Sequence, residues 1–201
     1  MNKIKKFYRV TILLLLTVLF TCLTEQISAQ NVNRHSSNNT IYSVPPTVPE
    51  MIVFAGDTIR FDRADLRERM DRELIAFSYM HTNSHLIIKR ANRLFPVIEP
   101  ILKENGIPDD LKYLMVIESN LDPKSLSSAG AAGLWQFVQA TGRSYGLEVN
   151  ANIDERYNIR KSTVAACKYL AEAYQKYGNW MTVAASYNGG QNGISRRLEE
   201  Q

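Results

Sequence analysis

Asp110-Leu111-Lys112-Tyr113-Leu114-Met115-Val116-Ile117-Glu118-Ser119 is the stretch on which both the fold and the chemistry turn. Leu111, Leu114 and Met115 stand at i, i+3 and i+4, the spacing of one helix face, and Glu118 at i+7 falls on the same apolar face. Taking an ionised carboxylate out of water is costly, and the usual response is a raised pKa that keeps it protonated. A carboxyl protonated near neutral pH is what a general acid requires. The competing reading of the same residue is a Glu at the edge of the stripe, bonded to an arginine or a backbone N–H. Pro108 and Asp109-Asp110 suit the first turn of this helix, and Pro123 forbids its continuation for long.

Directly downstream, seven of the ten residues Ser127-Ser128-Ala129-Gly130-Ala131-Ala132-Gly133-Leu134-Trp135-Gln136 are Ser, Ala or Gly. A run this small lets backbone approach a ligand or another backbone closely. A helix is expected over Leu134–Thr141, with Trp135 and Gln136 at its start as an aromatic face and an amide. Taken singly, Trp135 is more often core than sugar platform. Further on, Ser186-Tyr187-Asn188-Gly189-Gly190 closes an apolar helix with a phenol, an amide and two glycines. This is either an ordinary Asn-Gly helix stop or a pair of side chains projecting toward the cleft that holds Glu118.

The remaining pattern is helical. Leu66, Met70, Leu74 and Phe77 mark one amphipathic helix, and Ile87, Ala91 and Leu94 another, which Pro96 is expected to break. A short helix then runs to Glu104 and stops near Gly106. Ser162 is a candidate cap for a helix reaching Tyr177 before Gly178, and Asn179 for a last one. Before them, Met51-Ile52-Val53-Phe54 and Thr58-Ile59-Arg60-Phe61 flank Ala55-Gly56-Asp57 as a short hairpin. No internal repeat and no sustained strand alternation is present. The fold class is mainly α with a short N-terminal β-hairpin.

The chain has 201 residues, 45% apolar and 22% charged, an ordinary globular composition. Lys3, Lys5, Lys6 and Arg9 precede an apolar run from Val10 to Leu23, and Ile27-Ser28-Ala29 resembles a small-residue cleavage site. That is the layout of a secretory signal peptide, too short for a comfortable membrane span. Removing residues 1–29 takes away four cations and Glu25, leaving 20 Lys+Arg against 19 Asp+Glu, a formal charge of +1 in place of +4. The basicity therefore belongs to the export signal and gives no support for nucleic-acid binding. Cleavage would also remove Cys22, a poor lipid-attachment candidate that leaves membrane association open, so that Cys167 stands alone as a small buried hydrophobe. His81 and His85 share a helix face without a third ligand, so no metal or other cofactor is expected. The mixed charges of Asp62–Arg69 make a solvated face.

Glu118-Ser119, then Ser127-x-x-Gly130-Ala131-x-Gly133-Leu134-x-Gln136, then Tyr187-Asn188 together resemble the three motifs of soluble-type lytic murein transglycosylases, bacterial enzymes with a goose-lysozyme-like helical fold. The segment Asp154-Glu155-Arg156-Tyr157-Asn158-Ile159-Arg160-Lys161-Ser162-Thr163 is similar to the branch represented by membrane-bound lytic murein transglycosylase D. The resemblance covers about residues 90–198. It implies a lysozyme-like helical domain that cleaves the β-1,4 bond between N-acetylmuramic acid and N-acetylglucosamine in peptidoglycan. It implies Glu118 as catalytic acid and then base on the muramic 6-hydroxyl, giving a 1,6-anhydro product. Ser127, Gln136, Tyr187 and Asn188 match positions that line the subsites, Tyr187 helping to stabilise the intermediate.

Most glycosidases set a second carboxylate within about 5–9.5 Å of the first. Asp122 is the nearby candidate in sequence, and a single-acid mechanism assisted by the substrate N-acetyl group fits one dedicated Glu. The rival on the same fold is a hydrolytic muramidase, with Asp122 or Asp154 activating water. A non-catalytic peptidoglycan-binding fragment, or one that folds poorly, are the remaining readings. Trp135 stands where many relatives have Met, and Ser186 where they have Ala. The chain ends at Glu199-Glu200-Gln201, about where the family continues into further helices. The expected layout is a signal peptide (1–29), a flexible leader (30–50), a hairpin and helical extension (51–89), and a catalytic domain (90–201) incomplete at its C-terminus. An exported protein in the periplasm, or at the outer membrane, acting on glycan strands follows from the signal and the resemblance.

Overall fold

The computed structural model describes residues 45–189, together with Ser195 and Arg196. The expected signal peptide and most of the leader lie outside these residues. Strands β1 (Met51–Phe54) and β2 (Asp57–Arg60) pair antiparallel with Met51 opposite Arg60 and Phe54 opposite Asp57. Ala55 and Gly56 form the two-residue turn, both at positive φ (51° and 91°), the hand that suits the twist of a hairpin. Ile52 and Phe54 point inward and are buried, whereas Met51 and Val53 face solvent.

Helix α1 (Ala64–Tyr79) buries Met70 and Leu74 and leads into α2 (His81–Glu104). The expected break at Pro96 is absent: α2 runs through both Pro96 and Pro100, and across residues 89 and 90. Both prolines lie on the exposed face, where water can satisfy the carbonyls at i−4 that lose their N–H partners. A proline inside a helix costs about 3 kcal/mol. The inward stripe of Ile87, Ala91, Leu94, Phe95, Ile98, Ile101 and Leu102 outweighs it, since each large apolar side chain contributes about 1.5–3 kcal/mol on burial.

A 3-10 helix (Asp109–Tyr113) feeds α3 (Leu114–Ser119). Lys112 is buried beneath them, bonded to Glu99 of α2 at 2.7 Å and to Asp109, and lies over the rings of Phe95 and Tyr113. This pins the segment carrying Glu118 to α2. The short α4 (Gln139–Ser144) and a 3-10 turn (Glu155–Tyr157) precede α5 (Ile159–Tyr177), which packs against α2 on one side and α6 (Trp180–Gly189) on the other. Thr163, Ala165, Ala166, Cys167 and Ala173 give α5 the small contact surface that lets its neighbours close in. Burial pushes the Cys167 thiol up to about 12, in keeping with a packed rather than reactive residue.

Two boundaries differ from the sequence reading: β2 spans Asp57–Arg60 where Thr58–Phe61 was expected, and α5 starts ahead of its expected cap. Asn158, not Ser162, caps α5, its carboxamide accepting from Lys161 N at 3.0 Å. Ser162 sits one turn inside, buried, with its hydroxyl on Ile159 O. The α5 stop at Gly178 (φ 65°) and the Asn179 cap of α6, through Thr182 N at 2.9 Å, agree with expectation. Among the described residues, no helix is long and apolar enough to cross a membrane. The fold is mainly α with one short hairpin, as expected.

Candidate active site

Glu118 lies at the last turn of α3, half-buried, between fully packed Met115 and buried Ser119. What ends the helix is not Pro123 but Asn120 and Leu121, both left-handed at φ 50° and 55°. Each such non-glycine residue costs roughly 1–2 kcal/mol. The turn is held by Asn120 N on Val116 O, by Leu121 N on Met115 O, and by complete burial of the Leu121 side chain. Arg90 of α2 clamps it from outside, donating to Asn120 O at 2.9 Å and to Asp122 Oδ2 at 3.1 Å.

The small-residue run forms a compact loop, not the start of a helix. Leu134–Gln136 are in a turn bracketed by the bridge Ala132–Phe137, and helix resumes only at Gln139. Three features override the helical reading. Gln136 takes a positive φ of 49°, and its amide donates to Gly133 O at 2.9 Å and Ser125 O at 3.3 Å. Trp135 is fully buried, its indole N–H bonded to Thr163 Oγ1 of α5 at 3.0 Å, so it is core and offers no face to a sugar. Gly133 sits with φ 75° so close to Arg156 that a Cβ would meet the Arg156 carbonyl oxygen at 2.0 Å. The close approach expected of this run is therefore made to backbone at Gly133.

Arg156, which the sequence reading gave no role, organises this loop. Its buried guanidinium donates to Gly130 O at 2.7 Å and Phe137 O at 2.9 Å, and forks onto Asp154 through Nε (2.9 Å) and Nη2 (2.6 Å). The only signal in sequence was the Asp-x-Arg spacing, which geometry turns into a bidentate pair. The Arg156 guanidinium holds the Asp154 carboxyl below its usual value of 3.8. A depressed folded-state pKa stabilises the fold above the unfolded value and loses that contribution as pH falls through the folded one. Asp154→Asn should therefore be less stable than wild type at neutral pH, with the gap closing below about pH 4 in thermal melts.

Ser119 Oγ lies 2.9 Å from Met115 O and 3.0 Å from Leu134 O, fastening α3 to the loop. From the other side, Tyr187 of α6 donates its hydroxyl to Trp135 O at 2.7 Å. Its ring meets Trp135 at 6.2 Å, Phe137 at 6.5 Å and Tyr169 at 5.2 Å, and Tyr169 continues to Tyr145 at 5.4 Å. Burial, then the negative charge of Glu118, then Tyr169 raise the Tyr187 phenol well above its ordinary value, so it stays protonated. Glu118, Tyr187 and the Leu134–Gln136 turn are thus brought together from α3, α6 and the loop.

Ser127 closes the loop's other end. Its hydroxyl oxygen accepts from Ala131 N at 3.0 Å, which leaves the O–H able to donate. Gln136 spends its amide hydrogens on the loop, and the carbonyl oxygen is what it can offer a ligand. Asn188 follows Tyr187 and is partly buried, its amide nitrogen sheltered from solvent. Tyr169 and Tyr145 pack against the core beside Tyr187 and extend its ring contacts. Asp122 is tied to Arg90 and, through Oδ1, to Lys124 N at 3.0 Å. His81 and His85 are both exposed, and among the described residues no group of three His, Cys, Asp or Glu is disposed to hold a metal.

A helical domain with one carboxylate at the end of a short helix, facing a glycine-stitched loop and a phenol, defines a lysozyme-like class. Residues 95–201 match the Transglycosylase SLT domain, and the chain belongs to that family. It is 30% identical over 154 residues to membrane-bound lytic murein transglycosylase D of Escherichia coli strain K12, which covers 75% of this chain and 33% of the relative. It is 26% identical over 106 residues to a putative tributyltin chloride resistance protein of Alteromonas sp. strain M-1, covering 52% of this chain and 51% of that one. Peptidoglycan transglycosylase gp16 of Escherichia phage T7 is 34% identical over 90 residues, 43% of this chain and 7% of the phage protein. The chain spans about a third of the length of the transglycosylase D relative.

Proposed function

We propose that this chain carries a peptidoglycan lytic transglycosylase activity that cleaves the β-1,4 bond between N-acetylmuramic acid and N-acetylglucosamine. Glu118 protonates the glycosidic oxygen as the bond to the muramic anomeric carbon breaks, and the N-acetyl group of the muramic residue assists from the opposite face. Glu118, now a carboxylate, takes the proton of the muramic 6-hydroxyl as that oxygen closes on the anomeric carbon, leaving a 1,6-anhydro end. Tyr187, kept protonated, is placed to stabilise the intermediate, while Ser127, Gln136 and Asn188 line the glycan path. Residues 90–201 act as the catalytic unit, and the segments before them as export signal, leader and extension.

The observation that carries this reading is the commitment of both rival carboxylates. Asp122 is held by Arg90 and Asp154 by the Arg156 fork. Each of the two has both its oxygens already accepting hydrogen bonds, Asp122 from Arg90 and Lys124 N, and Asp154 from Arg156. A hydrolytic muramidase would need one of them released, so the single-acid route is favoured. The activities for which the E. coli and phage relatives are named agree with the substrate class. The membrane-bound relative agrees with an envelope location, which sequencing of the mature N-terminus after Ala29 would test.

Mass spectrometry of products from purified sacculi decides the reaction. Anhydromuropeptides from the wild type sustain the proposal, reducing-end products replace it with hydrolysis, and binding without release reduces the protein to a glycan binder. Tyr187→Phe probes the site from its other side. It removes one donor from the buried Trp135 carbonyl, a loss of about 1–3 kcal/mol in stability, and should lower kcat more than it raises KM. A raised KM with kcat unchanged would place Tyr187 in binding alone.

A further inference from the structure

The N-terminal hairpin precedes the matched family region, which begins at residue 95, yet its turn touches the starting points of both elements that carry the site. Ala55 N donates to Asp110 Oδ2 at 2.7 Å. Asp110 stands in the 3-10 helix that runs directly into α3, eight residues before Glu118. Asp57 Oδ2, across the same two-residue turn, accepts from Asn179 Nδ2 at 2.9 Å. Asn179 caps α6, eight residues before Tyr187, with its Oδ1 on Thr182 N at 2.9 Å and Thr182 Oγ1 at 3.2 Å. The carboxamide of Asn179 is thus used at both ends: its oxygen starts α6 and its nitrogen reads the hairpin.

We infer that the hairpin turn is a positioning clamp, which sets the start of the Glu118 segment and the start of the Tyr187 helix in one fixed relation. The hairpin is a firm anchor for this. Phe54 is fully buried and Ile52 and Phe61 nearly so, the four-pair register leaves it no slack, and Phe61 N closes its base on Glu50 O at 2.8 Å. Ala55 holds a left-handed backbone (φ 51°), which an alanine adopts against its preference and which presents its N–H to Asp110. A helix transmits a shift at its first residue along its axis, and eight residues at about 1.5 Å each put Tyr187 roughly 12 Å from the tether. At that distance a small tilt becomes a misplacement of the phenol, and about 1 Å at a reacting group costs on the order of 10²-fold in rate. Asp57, Asn179 and Asp110 are positioning residues in this scheme. The inference rests on Glu118 and Tyr187 acting together as proposed above.

The Asp57–Asn179 bond can be inverted. Asn179→Asp keeps the cap oxygen but loses the donor and sets two carboxylates against each other. Asp57→Asn combined with Asn179→Asp restores one donor and one acceptor with the roles exchanged. On sacculi, Asn179→Asp should lose about tenfold or more in kcat per folded molecule with KM within about twofold, and the exchange should recover most of it. Amide hydrogen exchange gives a second reading that needs no activity. Leu114–Ser119 and Thr182–Tyr187 should exchange faster in Asn179→Asp and return to wild-type rates in the exchanged pair. If the single variant does not fold, Asp57→Ala serves in its place against the same wild type. A variant that melts earlier but keeps its kcat and its protection in both segments overturns the clamp, as does an exchanged pair that recovers neither. If the wild type releases no product, the catalytic reading fails, and the hydrogen-exchange pattern alone then upholds or overturns the clamp.

Discussion

Glu118→Gln is expected to lower the rate of glycan cleavage by roughly 10²–10⁴-fold, the range over which a positioned acid–base group acts. The side chains are nearly isosteric, and Glu118 is only half-buried at the end of α3. The melting temperature and binding to sacculi should therefore stay close to wild type. The amide can neither protonate the leaving oxygen nor accept the proton of the 6-hydroxyl, so both halves of the reaction fail together. Asp122→Asn separates the two mechanisms. In the single-acid reaction its effect is small beside that of Glu118→Gln, because Asp122 serves to receive Arg90. If Asp122 were the base of a hydrolase, the two losses would be comparable. Turnover of sacculi, with anhydro and reducing ends counted separately, measures both.

Gly133→Ala is expected to cost about 4 kcal/mol or more, a loss that single substitutions reach only through a specific clash or strain. Two effects combine. The residue holds φ 75°, and the new Cβ would meet Arg156 O at 2.0 Å and its carbonyl carbon at 2.9 Å. Those atoms are backbone and cannot swing aside. Moving them would disturb the guanidinium that binds Gly130 O, Phe137 O and Asp154. With a domain stability of about 5–15 kcal/mol, the variant should melt lower by on the order of 8–16 °C or fail to fold. Gly130→Ala is the control. It shares the positive φ (76°) but has open space at its Cβ, so it should cost only about 1–2 kcal/mol. Thermal melts of the two variants separate crowding from conformational preference. Near-equal losses would mean that the loop yields at Gly133 and that the contact with Arg156 is not rigid.

Some of this protein could be read from local chemistry alone. The hairpin, the stop at Gly178 and the Asn179 cap depend on residues within a few positions of one another, so the sequence determined them. The same holds for the need for glycine where backbone must pass close to backbone, whereas the single helix face expected from Leu111 to Glu118 is split, with Leu111 in a 3-10 helix and α3 beginning only at Leu114. Motif order carried the family, because the identity and spacing of a few residues survive without knowledge of their neighbours. What failed were readings in which a local preference was outvoted from a distance. Pro96 did not break α2, because its missing hydrogen bond faces water while the opposite face buries a continuous stripe. Trp135 and Gln136 did not begin a helix, because Thr163, Arg156 and the Tyr187 hydroxyl hold that segment in a turn. Arg156 as the loop's organiser, the restraint of Asp122 by Arg90, and the hairpin tethers join residues 26 to 122 positions apart. Only the tertiary structure could decide these. A hydrogen bond depends on direction and on a few tenths of an ångström, and no linear pattern encodes which distant partner will arrive.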